Sequence, residues 1–276
     1  MTKNTRNKFI GVFDSGFGGL SVLRGIIEEL PDYNYIYIGD SARAPYGTRS
    51  KDLVYDFTRQ AVDFLFKNNC QLIILACNTA SSDALRKIQR EYLPKHYPDK
   101  KVLGVLIPAA EEAVKKTINK KVGVIATEGT VQSGAFVREL TKIDSKIKVT
   151  QRACPLLVPI VEAGEKNSEA TEIILRDYLR PLIKKNIDTL ILGCTHYGIL
   201  ENKIKKIIGS NIYVISEVKV VPRKLKIYLQ KHQEIEKVIG KNKIVRFYST
   251  DLTDKFRLLG SRFFGRNIQV KKVILR

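Results

Sequence analysis

LIILACNTASSDALRKI at residues 72–88 and TLILGCTHYGILENKI at residues 189–204 decide how this chain folds. Each begins as a short apolar run, passes through a cysteine, and continues into polar residues that open a helical period. Each therefore reads as strand, turn, helix. Cys77 and Cys194 hold equivalent places after equivalent strands. The likeness extends upstream, because KFIGVFDSGFGGLSVL at residues 8–23 and KVGVIATEGTVQSGAF at residues 121–136 both run strand, polar turn, small residues, helix. Gly11 precedes Cys77 by 66 positions and Gly123 precedes Cys194 by 71. Two related α/β halves follow. If each offers the C-terminal edge of its sheet to the other, the two thiols face one shared cleft, where ligands of open α/β sheets bind.

Further strand-like runs lie at Tyr35–Gly39, Val102–Leu106, Ile147–Thr150, Ile212–Ile215 and Ile244–Tyr248, with helical periodicity filling most gaps. Between Leu53 and Leu65, for example, Val54, Phe57, Ala61, Val62 and Leu65 fall on one helix face. The expected fold class is α/β: two similar open, mostly parallel-sheet domains related by pseudo-twofold symmetry, with the active site in the cleft between them. Breakers at Pro94–Lys101 and Gly209–Asn211 place the domain boundaries. Residues 1–98 plus 210–276 are expected to form a discontinuous first domain and residues 99–209 the second.

Composition narrows the function classes. The chain has 276 residues, 48 Lys and Arg against 28 Asp and Glu, and a formal net charge of +20. No stretch approaches the roughly 20 apolar residues a membrane helix needs, and no signal segment precedes the first strand, so a cytoplasmic protein without a membrane partner is expected. Four scattered cysteines point to free thiols rather than a disulfide framework. The charge invites a nucleic-acid reading. From residue 201 onward nineteen Lys and Arg face six Asp and Glu, but they are mostly lysines interleaved with Ile and Val, without stacking aromatics. A solvated, lysine-rich surface away from both cysteine motifs is the plainer reading, and a basic nucleic-acid-binding protein is kept as an alternative.

Cys77 and Cys194 each stand where a strand meets a helix. Unsatisfied N–H groups there favour thiolate and are expected to lower a thiol pKa of about 8.5. Cys70 and Cys154 lack that setting and read as small buried hydrophobes. Asn78 and Thr79 after the first thiol, and Thr195 and His196 after the second, suit helix caps and also suit holding a carboxylate. His196, two residues from Cys194, is placed to exchange its proton. Asp14-Ser15-Gly16-Phe17-Gly18-Gly19 approaches a dinucleotide fingerprint, with Asp40 lying 24 positions beyond Gly16 as a candidate ribose-binding acid. Asp14 argues against it, because it puts a carboxylate where a pyrophosphate needs positive potential. An acid there suits proton chemistry near Cys77. Arg43-Ala44-Pro45-Tyr46-Gly47 is a turn placed to wall a pocket. No C-x-x-C pair, Walker loop or G-x-S-x-G elbow occurs, and no metal site is expected.

FDSGFGGLSVL at residues 13–23, DSARAPYG at 40–47, ACNTAS at 76–81, ATEGTVQSGAF at 126–136, VEAGE at 161–165 and GCTHYG at 193–198, in this order and spacing, resemble the glutamate racemases of the aspartate/glutamate racemase family. The resemblance extends over essentially the whole chain, including FYSTDLTDKFRLLGSRFFG at 247–265. Thr195-His196-Tyr197 favours the glutamate enzyme over aspartate racemase, whose second cysteine motif resembles GCTE. The resemblance implies an isomerase that interconverts L- and D-glutamate without a cofactor and supplies D-glutamate for peptidoglycan synthesis and so for cell-wall biogenesis and cell shape. It implies Cys77 acting from the D-glutamate side and Cys194 from the L side, with Asp14 assisting the first and His196 the second. It implies that Asp14, Ser15, Tyr46, Gly47, Asn78, Thr79, Thr130, Thr195 and His196 bind or orient substrate, with Thr127 and Glu162 near the pocket. A homodimer is compatible with it, and an aspartate racemase or related amino-acid racemase is the alternative. One departure stands out: where family members commonly show an Asp-Ser pair and small residues after the strand at 212–215, this chain has Ser216-Glu217-Val218-Lys219. The chain also begins only a few residues before its first strand, so no regulatory N-terminal extension is expected.

Overall fold

A computed structural model describes residues 8–276. The reading of an N-terminal extension concerns residues 1–7 and lies outside them. Ten strands are formed among the described residues: β1 (Phe9–Asp14), β2 (Tyr35–Gly39), β3 (Cys70–Leu75), β4 (Lys101–Gly104), β5 (Lys121–Ala126), β6 (Lys148–Ala153), β7 (Thr189–Gly193), β8 (Tyr213–Ser216), β9 (Val245–Ser249) and β10 (Val270–Lys272). One sheet has the order β10-β9-β2-β1-β3-β4 and the other β6-β5-β7-β8. All neighbouring strands are parallel. The order 2-1-3-4 in the first sheet recurs as 6-5-7-8 in the second, so the fold is two parallel-sheet α/β units built on one plan.

Helices cover both faces of a parallel sheet, and its inner strands are therefore apolar along their whole length rather than alternating. β1, β2, β3 and β7 are buried at every residue. The helix Lys51–Lys67 lies against the first sheet on its apolar stripe, burying Val54, Ala61, Val62, Leu65 and Phe66, and the Ser50 hydroxyl caps it by accepting from Leu53 N. Two tyrosines on β2 turn inward with their hydroxyls satisfied: Tyr35 donates to the Leu30 carbonyl at 2.6 Å and Tyr37 to the Gly16 carbonyl at 2.9 Å.

Sheet membership differs from the expected boundaries at both crossings. β4 completes the first sheet although it falls after residue 98, and β8 completes the second although it falls after residue 209. The chain changes sheet one element later each time. The helix Leu106–Lys116 packs Leu106, Ala109 and Ala110 into the second core with Val122, Val124 and Ile191. The helix Glu217–Lys231, starting directly after β8, packs back onto the first-half helix Gly19–Glu29. Prolines and charges at 94–101 and glycine at 209 mark turns inside a half, not the crossings themselves.

Candidate active site

In each sheet the strand order reverses beside the strand that carries the cysteine. β1 has β2 on one side and β3 on the other, and β5 likewise lies between β6 and β7. Their helices leave on opposite faces, which opens a crevice at the carboxyl ends. Cys77 follows β3 and Cys194 follows β7. Both line one cavity of about 700 Å³, together with Ser15, Tyr46 and Asn78 from the first half and Thr127 and Glu162 from the second.

Cys77 caps the helix Asn78–Asp83, its sulfur accepting from Ala80 N at 3.5 Å, and its thiol donates to Ser15 Oγ at 3.3 Å. Cys194 Sγ lies 3.9 Å from His196 Nδ1, and His196 Nε2 lies 3.4 Å from Glu162 Oε1. The imidazole is gripped edge-on by rings from the other half: Phe17 at 5.8 Å and Phe263 at 5.2 Å between centroids. Asp14, at the end of β1, accepts from Gly16 N at 3.0 Å.

Closeness of the halves depends on two glycines. A Cβ on Gly18 would stand 2.7 Å from His196 Nδ1 and nearer still to the Thr195 hydroxyl, and one on Gly47 would stand 2.9 Å from the Thr127 Cβ. Of the glycines in the first turn, Gly18 therefore admits the opposite half, and Gly19 leaves room for the Asp14 side chain of its own half. Asp40, the candidate ribose acid, is consumed structurally: Arg43 Nε donates to it at 2.7 Å, the Tyr46 hydroxyl at 2.5 Å and the Thr250 hydroxyl at 2.8 Å. That carboxylate holds the turn that presents Tyr46 and Gly47 to the cavity.

Burial decides the electrostatics. The expectation that a helix N-terminus lowers the thiol pKa is reversed for both cysteines. Burial first, and then the Asp14 charge, push Cys77 up to about 12 against hydrogen bonds from Ser15 and Ala80. Burial pushes Cys194 well above its ordinary value, the His196 N–H opposes this, and Cys77, Asp14 and Glu217 add to it. A few N–H dipoles do not replace the hydration an anion loses in a dry site. Asp14 is raised by burial against the His196 charge and its hydrogen bonds.

Of the residues anticipated from sequence, Ser15, Tyr46, Gly47, Cys77, Asn78, Thr79, Thr127, Glu162, Cys194, Thr195 and His196 line the cavity. Asp14 and Thr130 do not. Asp14 is 1% exposed behind the wall. Thr130 is fully buried, with its hydroxyl 3.0 Å from that of Thr127 and 3.4 Å from that of Thr79, so it supports those two hydroxyls rather than meeting a ligand. Cys154 is buried, as expected of a small hydrophobe, yet it borders the cavity with Pro155, Val158 and Phe256. The segment after residue 201 is not remote from the site either, since Asp251, Thr253 and Phe256 line the cavity and Glu217 lies behind it. Several of its lysines are paired with acids, as in Lys219 to Glu201, Lys224 to Glu111 and Lys226 to Glu29. Among the described residues no group of three or more His, Cys, Asp or Glu is arranged to hold a metal ion, and no helix is long and apolar enough to cross a membrane.

Comparison with known proteins agrees with this geometry. The family described as Asp/Glu/Hydantoin racemase matches residues 10–224. A glutamate racemase of Oceanobacillus iheyensis is 41% identical over 248 residues, covering 88% of this chain and 87% of its own. The crystal structure of glutamate racemase isoform RacE1 from Bacillus anthracis superposes with a TM-score of 0.89 at 36% identity, covering 98% of each chain. Glutamate racemase from Francisella tularensis, solved in complex with D-glutamate, gives a TM-score of 0.88 at 34% identity, again covering 98% of each chain.

Proposed function

The chain belongs to the Asp/Glu/hydantoin racemase family, and from that premise we propose that it interconverts L- and D-glutamate by proton transfer between Cys77 and Cys194. The observation that carries this reading is the placement of the two thiols at matched strand ends of two similar halves, bordering one cavity. In the forward step one cysteine, as thiolate, takes the α-proton, and the electron pair of the C–H bond stays on carbon. The opposite cysteine, as thiol, then delivers its proton to the other face and becomes the thiolate. The centre is inverted, one proton is lost and one gained, and the protein is left ready for the reverse direction.

That cycle needs one thiolate and one thiol. The two thiols repel each other's ionisation, as the contribution of Cys77 to the raised Cys194 pKa indicates. Like charges in a shared site disfavour the doubly ionised state, so the singly ionised pair is the accessible one. The substrate ammonium adds a positive charge between them and favours the first ionisation. We assign proton movement on the Cys194 side to His196, 3.9 Å from that sulfur, and assistance on the Cys77 side to Asp14, buried behind the wall. Ser15, Tyr46, Gly47, Asn78, Thr79 and Thr195 supply hydroxyl, amide and backbone groups for the two carboxylates and the ammonium. The carbanion forms in a water-poor site where preorganised dipoles act at full strength. The product D-glutamate would serve peptidoglycan synthesis, as the resemblance implies.

The test is chiral analysis of glutamate incubated with wild type, Cys77→Ser and Cys194→Ser. Wild type should convert either enantiomer to a racemate, and each variant should lose at least about a thousandfold in kcat/KM, because serine is a far weaker acid than cysteine and removing one member of a catalytic unit disables the whole. Full activity in either variant removes that cysteine from the mechanism. No conversion of glutamate by wild type, with aspartate converted under the same conditions, would reassign the substrate.

A further inference from the structure

Glu217 is a buried acid that the mechanism above does not use. It opens the helix Glu217–Lys231, is 3% exposed, and does not line the cavity. Its Oε2 accepts from Asn78 Nδ2 at 2.8 Å, across 139 positions of sequence. Asn78 does line the cavity. The hydrogen bond therefore runs from a residue of the cavity wall to a buried residue behind it. Neither Asn78 Oδ1 nor Glu217 Oε1 has a hydrogen-bond partner among the described residues, although both are buried. A buried amide oxygen without a partner is costly unless a ligand supplies the donor.

An asparagine amide offers oxygen at one end and N–H at the other, and a carboxyl oxygen that accepts the N–H, as Glu217 Oε2 does here with or without a proton on Oε1, leaves the amide oxygen over. Glutamate carries one class of donor, the α-ammonium, and its two carboxylates only accept. We propose that Glu217 is a positioning residue: by taking the Nδ2–H of Asn78 it turns the amide oxygen toward the α-ammonium of the substrate. The proposal rests on the glutamate reading of the site. The chain ammonium N–H to Asn78 Oδ1, then Asn78 Nδ2–H to Glu217 Oε2, aligns two hydrogen bonds in one direction, and each polarises the other. The ammonium is thereby fixed relative to the α-carbon, which sets the α-proton between the two sulfurs. Glu217 also stands where the sequence departs from the Asp-Ser pair common in the family, so this arrangement is a feature of this chain's own residues.

Calorimetric titration of the intact protein with D-glutamate and with glutarate, a dicarboxylate of the same length without an ammonium, tests the assignment. In Glu217→Met, a side chain of similar length with no oxygen to accept the Asn78 Nδ2–H, the amide is released from that orientation. D-Glutamate should then bind about tenfold more weakly, and glutarate should change by less than about twofold. Equal weakening of both ligands, with glutamate turnover by wild type intact, would reduce Glu217 to a structural role and overturn the proposal alone. Unchanged D-glutamate binding in the variant would overturn it too, and absence of D-glutamate binding to wild type would overturn both readings. A crystal structure of wild type with D-glutamate decides the matter without any variant: the ammonium nitrogen within hydrogen-bond distance of the Asn78 amide supports the proposal, and a carboxylate in that place contradicts it.

Discussion

Glu217 and the two thiols that line the cavity share one physical circumstance, which is that burial makes each acid hold its proton more tightly than usual. Burial, with the Asp14 charge adding to it, puts the Glu217 carboxyl at about 8 against an ordinary 4.5, while the Asn78 hydrogen bond pulls the other way. Between those two values the unfolded chain has given up the proton and the folded chain has not. The native state then binds more protons than the unfolded one, so this group lowers stability as pH rises through that window and costs nothing below it. Glu217→Gln removes the effect. Its stability relative to wild type should rise by roughly 1–3 kcal/mol between about pH 5 and about pH 8, read as the change in urea midpoint difference. A difference that stays constant with pH would mean the carboxyl is not held neutral. At this scale the sequence is a good guide to which residues line the cavity and a poor one to their acidity. Cys77, Cys194, Asn78 and His196 stand out from position alone, but the thiol pKa depends on how completely the other half covers them. Glu217 becomes recognisable only once the helix Glu217–Lys231 is seen to cross back toward Asn78.

At the scale of elements, the strands that were easiest to anticipate are those buried on both faces. β1, β2, β3 and β7 read as uninterrupted apolar runs because helices cover them above and below. The edges are harder. β6 runs to Ala153 rather than stopping at Thr150, with no residue of it fully buried, and the short, lysine-bearing β10 at Val270–Lys272 was not foreseen. An edge strand buries little, so its apolar signal is weak. The turn after β1 was legible as glycine-rich, but its purpose was not, since contact with Thr195 and His196 comes from the opposite sheet. That contact makes a prediction at this level. Gly18→Ala inserts a methyl group where His196 Nδ1 would be 2.7 Å away, so the helix Gly19–Glu29 and the segment carrying Cys194 must separate. Overpacking of this kind costs about 1–3 kcal/mol, and displacing His196 from Cys194 should lower kcat/KM by roughly a hundredfold. Wild-type kinetics in this variant would show that the close approach serves no catalytic purpose.

The whole molecule is one α/β plan used twice, with each copy supplying one thiol to the same cavity. Inversion at carbon requires groups on opposite faces of the substrate, and two facing sheet edges provide them more directly than one. The net charge of +20, prominent in the composition, contributes no side chain to this arrangement, because no Lys or Arg is among the described residues that line the cavity. What that segment gives the site is Thr253, Phe256 and Glu217. The central claim is that removal and delivery of the proton are the work of different residues. The most direct test follows the first few per cent of reaction in D₂O from unlabelled L-glutamate and, separately, from D-glutamate, with deuterium at the α-carbon measured in each enantiomer after chiral separation. Two thiols on opposite faces predict deuterium in nearly all of the product enantiomer and almost none in the recovered starting enantiomer, in both directions. Deuterium appearing at equal rates in both enantiomers, as a single base serving both faces would produce, would contradict the account.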